Sequence, residues 1–456
     1  MGKHLVVIGG TAAGLSAASK AKRMDPDIKV SVYERTGFIA YGACGLPYYI
    51  GDLVKTEGKL ADFTPDELKE KRDISTYIHH EVTKIDADSK TLDVYDLRKN
   101  EFFKVPYDYL VIATGASPII PDIPHVHANG VFFLRTVEDG MAIKNAIKER
   151  NVKKALIVGG GFIGLEMAEQ LSFLGIEVTI VEALPRLLPL LDEEYSNAVK
   201  KNLEENNVYL HTGTTVSEII SENGNVVGVK TNNGEIFDTD MAIVSIGVRP
   251  NSSMAQNAGL KTGIKNAIVV DEYMKTSDES IWACGDCVQT FNFITKRETY
   301  VPLGTTANKQ GRIAGGNIAG DKSTFKGVLA SQITKVFDLY IASTGLTVDQ
   351  AREAGFLPEE AKIVKKDKAS YYPGGKDNNI KLIFDKNTGR LLGAQAIGSE
   401  SIAGRINLLA TAITAGMTVA ELSEVDLVYA PSVAPVYDPI LIAASQAVKK
   451  VVLKRD

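Results

Sequence analysis

Cysteine is scarce in this chain. Three thiols in 456 residues are too few for a disulfide scaffold, which points to a reducing compartment. A basic excess is missing too. With a formal net charge of −5 the chain lacks the surplus Lys and Arg that neutralise phosphates, so no nucleic-acid partner is expected and anionic ligands need local basic pockets. No apolar run reaches the ~18 residues that span a bilayer. The opening Met1-Gly-Lys-His-Leu-Val-Val-Ile-Gly places a basic residue before apolar ones, but glycines break the run at once and Lys20, Lys22 and Arg23 follow on a helical pattern, unlike a signal peptide. Val6 spoils a myristoylation match. These absences predict a cytoplasmic protein without a membrane partner. The remaining composition, 45% hydrophobic and 23% charged, is that of a soluble globular protein, and the length suggests about three domains at roughly 150 residues each.

Glycine is where the pattern lies. Leu5-Val-Val-Ile8 reads as a short buried strand, and Gly9-Gly-Thr-Ala-Ala-Gly14 turns it into a helix carrying the small residues Ala17, Ala18 and Ser19. Small residues at Gly9, Thr11, Ala12 and Gly14 let a pyrophosphate approach the bare amides of that helix, and Glu34, closing the next strand, can accept from a ribose hydroxyl. Thr11 departs from the usual middle glycine, so a strand–helix turn without a ligand stays open for this motif alone. A second unit is cleaner. Ala155-Leu-Ile-Val-Gly159-Gly-Gly161-Phe162-Ile163-Gly164 has all three glycines, and Ile176-Glu-Val-Thr-Ile-Val-Glu182 ends in a carboxylate that favours the free ribose hydroxyls of NADH over a 2′-phosphate. Arg186 softens that preference, leaving NADPH open. Phe162 fits either a buried aromatic or a ring that covers a flavin until nicotinamide displaces it.

Three further segments place the flavin. Tyr107-Asp-Tyr-Leu-Val-Ile-Ala113-Thr114-Gly115 is an apolar strand ending in a small-residue turn, and Ile243-Val-Ser-Ile-Gly247-Val-Arg-Pro250 reads as the return crossing. Ile281-Trp-Ala-Cys-Gly285-Asp286 ends a strand with a carboxylate able to bond a polyol such as the ribitol of FAD. The spacing predicts an α/β protein with two Rossmann-like nucleotide-binding domains, the NAD(P) domain inserted in the FAD domain. The expected boundaries are 1–118 and 250–325 for FAD, 119–249 for NAD(P), and 326–456 for a C-terminal α+β domain, in which 330–345, 381–384 and 391–397 read as strands and 402–415 as a covering helix. Cys284-Gly-Asp-Cys287 overlaps the strand end and lacks a second C-x-x-C for zinc, so it reads as two filler cysteines, with no metal site. Cys44, in Tyr41-Gly-Ala-Cys-Gly-Leu-Pro-Tyr-Tyr49, stands alone ten residues past Glu34 and reads as the sulfur that receives electrons. Opening a helix before Pro47, it is expected to have its pKa lowered by exposed amides.

These motifs together resemble the pyridine nucleotide-disulfide oxidoreductases through nearly the whole chain. Members with a redox disulfide carry two cysteines five positions apart. Tyr49 stands at the partner's position here, so the chain is similar to the single-cysteine branch of coenzyme A disulfide reductases, NADH oxidases, NADH peroxidases and sulfur reductases. Peroxidases and water-forming oxidases of that branch carry a histidine where this chain has Ala12, which favours the coenzyme A disulfide reductases. The resemblance implies FAD, NADH or NADPH as co-substrate, coenzyme A bound in turn to Cys44, and a homodimer. It also implies tyrosines from the partner subunit at the thiol, in Tyr371-Tyr372-Pro-Gly and Leu427-Val-Tyr429-Ala-Pro, with Tyr371 and Tyr372 not distinguished. Val433-Ala-Pro-Val-Tyr437-Asp-Pro is similar to archaeal-type coenzyme A reductases and NADH oxidases. The rivals are an NADH oxidase cycling Cys44 between thiolate and sulfenate, a persulfide or polysulfide reductase, and a non-enzymatic flavin redox sensor.

Overall fold

The computed structural model describes residues 2–452. Its first sheet is fully parallel, in the order Ile281–Ala283, Tyr109–Ile112, His4–Ile8, Lys29–Glu34, Ser75–Ile78. Leu5, Val6 and Val7 are fully buried, as befits a central parallel strand covered on both faces. Helix α1 (Ala12–Met24) crosses from that strand to its neighbour, and α2 (Leu46–Ile50) follows a single 3-10 turn at Ala43–Gly45.

The second sheet repeats the plan, with strands Val208–Thr212, Glu177–Glu182, Lys154–Val158, Met241–Val244 and Val131–Phe133 all parallel. Helices α3 (Val137–Glu149), α4 (Phe162–Phe173) and α5 (Glu193–Glu205) belong to it. The glycine loop of each unit leaves the middle strand, whose neighbours lead in opposite directions, so both loops lie at a topological switch point. Chain entry and exit run side by side: Ala116–Pro118 pairs antiparallel with Val248–Pro250. Helix α6 (Gly304–Ile318) then returns to pack on α1.

The C-terminal part is a five-stranded antiparallel sheet, in the order Gln332–Val336, Leu339–Gly345, Leu391–Gly398, Asp377–Asp385, Pro358–Lys366, against which helices Ile402–Ala415 and Pro439–Val448 pack. The edge strand Pro358–Lys366 and the small antiparallel sheets spanning 80–106 and 216–238 are not anticipated from the sequence. Cys284 and Cys287 are fully buried, with the Cys287 thiol directed at the carbonyls of Ile112 and Cys284, as filler cysteines should be. No described helix is long and apolar enough to cross a membrane.

Candidate active site

Both glycine loops are built by close approach. A Cβ on Gly14 would lie 1.9 Å from the Gly9 carbonyl oxygen, and one on Gly164 would lie 2.1 Å from that of Gly159, so each helix can leave its strand only on glycine. Gly161 differs, since a Cβ there would meet nothing within 4 Å. That glycine leaves open surface at the N-terminus of α4. The strand-end acids tie each loop down: Glu34 accepts from the Gly10 N–H at 2.8 Å and Glu182 from the Gly160 N–H at 2.6 Å. Their second oxygens accept from the N–H groups of Thr36 and Leu184.

The helix ends at these loops differ from those capped by a threonine side chain. Helices beginning after Thr64, Thr136, Thr347 and Thr418 all carry capping boxes. Helices α1 and α5's predecessor α4, opening at Thr11–Ala12 and Gly161–Phe162–Ile163, have no side-chain cap and no acidic residue in the first turn. A terminus with unbonded amides and a positive dipole end suits a phosphate. The residues therefore fit a dinucleotide at each loop.

Around the first loop, Thr114 donates to the Asn251 carbonyl at 2.6 Å, and Asn251 donates back to the Thr114 carbonyl. This joins Ala113-Thr114-Gly115 to the returning crossing beyond Gly247. Gly285 donates its N–H to Gln310 at 2.9 Å. Asp286 pairs with the Arg135 guanidinium at 2.9 Å, and its carbonyl accepts from the Tyr300 hydroxyl.

Cys44 lies in the 3-10 turn that feeds α2 and is the exposed thiol of the three. Although the residue is accessible, atoms crowded around its sulfur push the thiol pKa up. The Glu166 carboxylate of α4 adds to the rise and Arg135 opposes it. The expected lowering by helix amides is therefore corrected: α2 has five residues, too few for much dipole, its N-cap is Gly45 rather than Cys44, and burial together with the Glu166 charge disfavours the thiolate. Burial lifts Glu166 itself to about 7, with Glu169 contributing, against a hydrogen bond from the Thr334 hydroxyl. Glu169, one turn on and fully buried, is paired with Lys335.

Tyr371 and Tyr429 share a hydroxyl–hydroxyl hydrogen bond of 3.0 Å. Tyr372 instead lies beneath the Lys368 ammonium, 5.7 Å from its ring centroid. Among the described residues no hydrogen bond joins any of these tyrosines to Cys44 within one chain.

Residues 3–311 match the model of the pyridine nucleotide-disulphide oxidoreductase family, and 331–438 match that family's dimerisation domain. The chain belongs to this family. It is an NAD(P)H-dependent, FAD-requiring oxidoreductase, and the matched dimerisation domain suggests a homodimer. This oxidoreductase is 40% identical to an NADH oxidase of Methanocaldococcus jannaschii over 98% of both chains. It is 37% identical to an NAD(P)H coenzyme A polysulfide/persulfide reductase of Pyrococcus horikoshii, over 97% of this chain and 98% of that one. The crystal structure of reduced CoADR-RHD from Bacillus anthracis superposes with a TM-score of 0.96 at 36% identity, covering 99% of this chain and 81% of the other.

Sequence reasoning missed Glu166 and Arg135. A signal existed for the first, since Glu166 stands four residues after Phe162 on an otherwise apolar stretch and so shares its helix face. None existed for Arg135, which reaches Asp286 only through folding.

Proposed function

We propose that this oxidoreductase uses NAD(P)H to reduce a coenzyme A-linked disulfide, or a closely related persulfide, through Cys44. The observation that carries the reading is the place of Cys44: an exposed thiol in the turn that feeds α2, a helix packed against α4, the helix that follows the second unit's glycine loop. FAD, when bound, supplies the two-electron relay between nicotinamide and sulfur. The Cys44 thiolate attacks one sulfur of CoA–S–S–CoA and displaces one CoA thiolate, which takes up a proton, leaving Cys44 in a mixed disulfide. Two electrons from NAD(P)H break that bond, releasing the second CoA thiolate and restoring the Cys44 thiolate. The Tyr371–Tyr429 pair supports a proton source for the departing thiolates. Tyr371 is 73% exposed in the single chain, and Val428, Val433, Val436 and Tyr437 on the segment that carries its partner Tyr429 are exposed as well, apolar surface suited to a second copy. We therefore assign the tyrosines to the partner's thiol and prefer Tyr371 over Tyr372.

Gly9, Thr11, Ala12, Gly14, Glu34, Ala113, Thr114, Gly115, Gly247, Gly285 and Asp286 would hold FAD. Gly159, Gly161, Phe162, Ile163, Gly164 and Glu182 would hold the nicotinamide dinucleotide. Ala12, which can neither donate a hydrogen bond nor transfer a proton, favours a sulfur acceptor over oxygen. The M. jannaschii relative, an NADH oxidase by name, supports oxygen as a second reading. Intact-mass analysis of the purified protein, with NAD(P)H oxidation assayed on CoA disulfide, polysulfide and oxygen, tests the choice. A CoA adduct on Cys44 and disulfide-dependent turnover are expected; turnover on oxygen alone would replace this reading with the oxidase.

A further inference from the structure

Helix α2, which carries the thiol turn, has five residues, whereas isolated helices shorter than about 12 residues are marginal in water. Its position must be imposed by what surrounds it. It is seated between two helices of the other unit, α3 and α4. Gly140 of α3 makes room for it: a Cβ there would come within 3.1 Å of the Leu46 side chain and 3.5 Å of the Tyr49 ring. On the opposite side Gln170 of α4 lies so close to Gly51 that a Cβ on that glycine would sit 2.2 Å from its oxygen.

The cation in this seat comes from α3. Lys144 has a side chain only 9% exposed, and its ammonium donates to the Tyr49 carbonyl at 2.8 Å, pairs with Asp52 at 2.6 Å and stands 4.2 Å from the Tyr49 ring centroid. The Tyr49 carbonyl belongs to the last turn of α2, where unsatisfied carbonyls and the negative dipole end welcome a cation. Asp52, just beyond, is held with φ at +66°, a backbone conformation that needs support from its surroundings in a non-glycine residue. A buried lysine thus fastens the C-terminal end of the thiol helix to a different unit of the chain.

We propose that Lys144 is a positioning residue for Cys44, setting where the sulfur stands relative to the dinucleotide loops by clamping the far end of α2. The inference rests on reading Cys44 as the reactive thiol, and the two can fail separately: Cys44→Ser tests the reading, whereas Lys144 variants are followed through the reactivity of an intact thiol. In the flavin-loaded full-length enzyme, Lys144→Met and Lys144→Arg are compared with the parent in three measurements. These are the rate of flavin reduction by NADH, kcat and KM on CoA disulfide, and the rate of Cys44 alkylation by iodoacetamide; Cys284 and Cys287 are buried and do not compete. A displacement of the sulfur by a fraction of an ångström costs geometry-sensitive steps about tenfold or more, so Lys144→Met is expected to lower kcat about tenfold at unchanged KM and to shift the alkylation rate severalfold. Flavin reduction should stay at the parent rate, and Lys144→Arg should restore most of the loss. Alkylation and kcat within twofold of the parent in Lys144→Met would overturn the proposal. A parallel fall in flavin reduction, or no rescue by arginine, would equally overturn it by showing general loosening. Should the methionine variant fail to take up flavin, Lys144→Gln, which keeps a donor for the Tyr49 carbonyl, is read by the same criteria.

Discussion

Glu166→Gln isolates a charge that folding places at a cost. The carboxyl is raised from 4.5 to about 7, chiefly by burial. Below about pH 4.5 the group is protonated in both folded and unfolded chains and the raised value costs nothing. Between the two values the unfolded chain releases a proton that the folded chain keeps, so stability falls as pH rises, and above about 7 both forms are ionised and the full cost applies. A rise of about 2.5 units at 1.36 kcal/mol each amounts to roughly 3 kcal/mol. Glutamine keeps the shape and still accepts the Thr334 hydroxyl bond, yet never ionises. The variant should therefore unfold at a clearly higher temperature than the parent at pH 8.5, by several degrees for a unit of this size, and by much less at pH 5. The same charge raises the Cys44 thiol, so iodoacetamide should alkylate Cys44 faster in Glu166→Gln than in the parent at pH 8. Thermal unfolding at both pH values, with alkylation in parallel, reads the two effects. An equal shift at pH 5 and pH 8.5 would show that packing rather than ionisation distinguishes the residues, and unchanged alkylation would remove Glu166 from the thiol's electrostatics.

Cys44→Ser should keep a flavin that NADH reduces and lose CoA disulfide reduction by orders of magnitude, which stopped-flow and steady-state assays separate; faster oxygen uptake in that variant would mark oxygen as a side reaction. Glu182→Ala should narrow the preference for NADH over NADPH, measured as the ratio of kcat/KM, if the acid receives the ribose hydroxyls as proposed. Tyr371→Phe and Tyr429→Phe should each slow disulfide turnover at similar KM, while Tyr372→Phe, outside the hydroxyl pair, should leave it within twofold. Gly14→Ala should yield little flavin-loaded protein on purification, since its Cβ would lie 1.9 Å from a backbone oxygen that cannot move aside.

The residues legible in the sequence are those whose role is fixed by local backbone. Gly9, Gly14, Gly159 and Gly164 must be glycine wherever a strand turns this sharply into a helix, and Glu34 and Glu182 end their strands where a carboxylate accepts from the loop's N–H groups. The covering helix at 402–415 announces itself by its apolar period. The edge strand Pro358–Lys366 does not, because only one face and one edge are covered and its lysines and glutamates mask the alternation. Tyr371 and Tyr372 are neighbours in sequence, and only the loop's path turns one toward Tyr429. The acidity of Cys44 was misjudged for a related reason. Burial around the sulfur, and the charges of Glu166 and Arg135 more than ninety residues away, arise only through packing between units.

The paired strands Ala116–Pro118 and Val248–Pro250 give the chain a cassette-like connectivity. Beyond them the Ile119 N–H meets the Gly247 carbonyl at 2.9 Å, so everything between could be cut out and the gap bridged by a short linker, with all five strands of the first sheet retained. Such a graft would exchange one electron donor for another at little topological expense, but it would also take away α3 and α4, and with them the seat of the thiol helix. A replacement module therefore has to bring its own cradle for α2, so that choice of reductant and placement of sulfur are inherited as one unit.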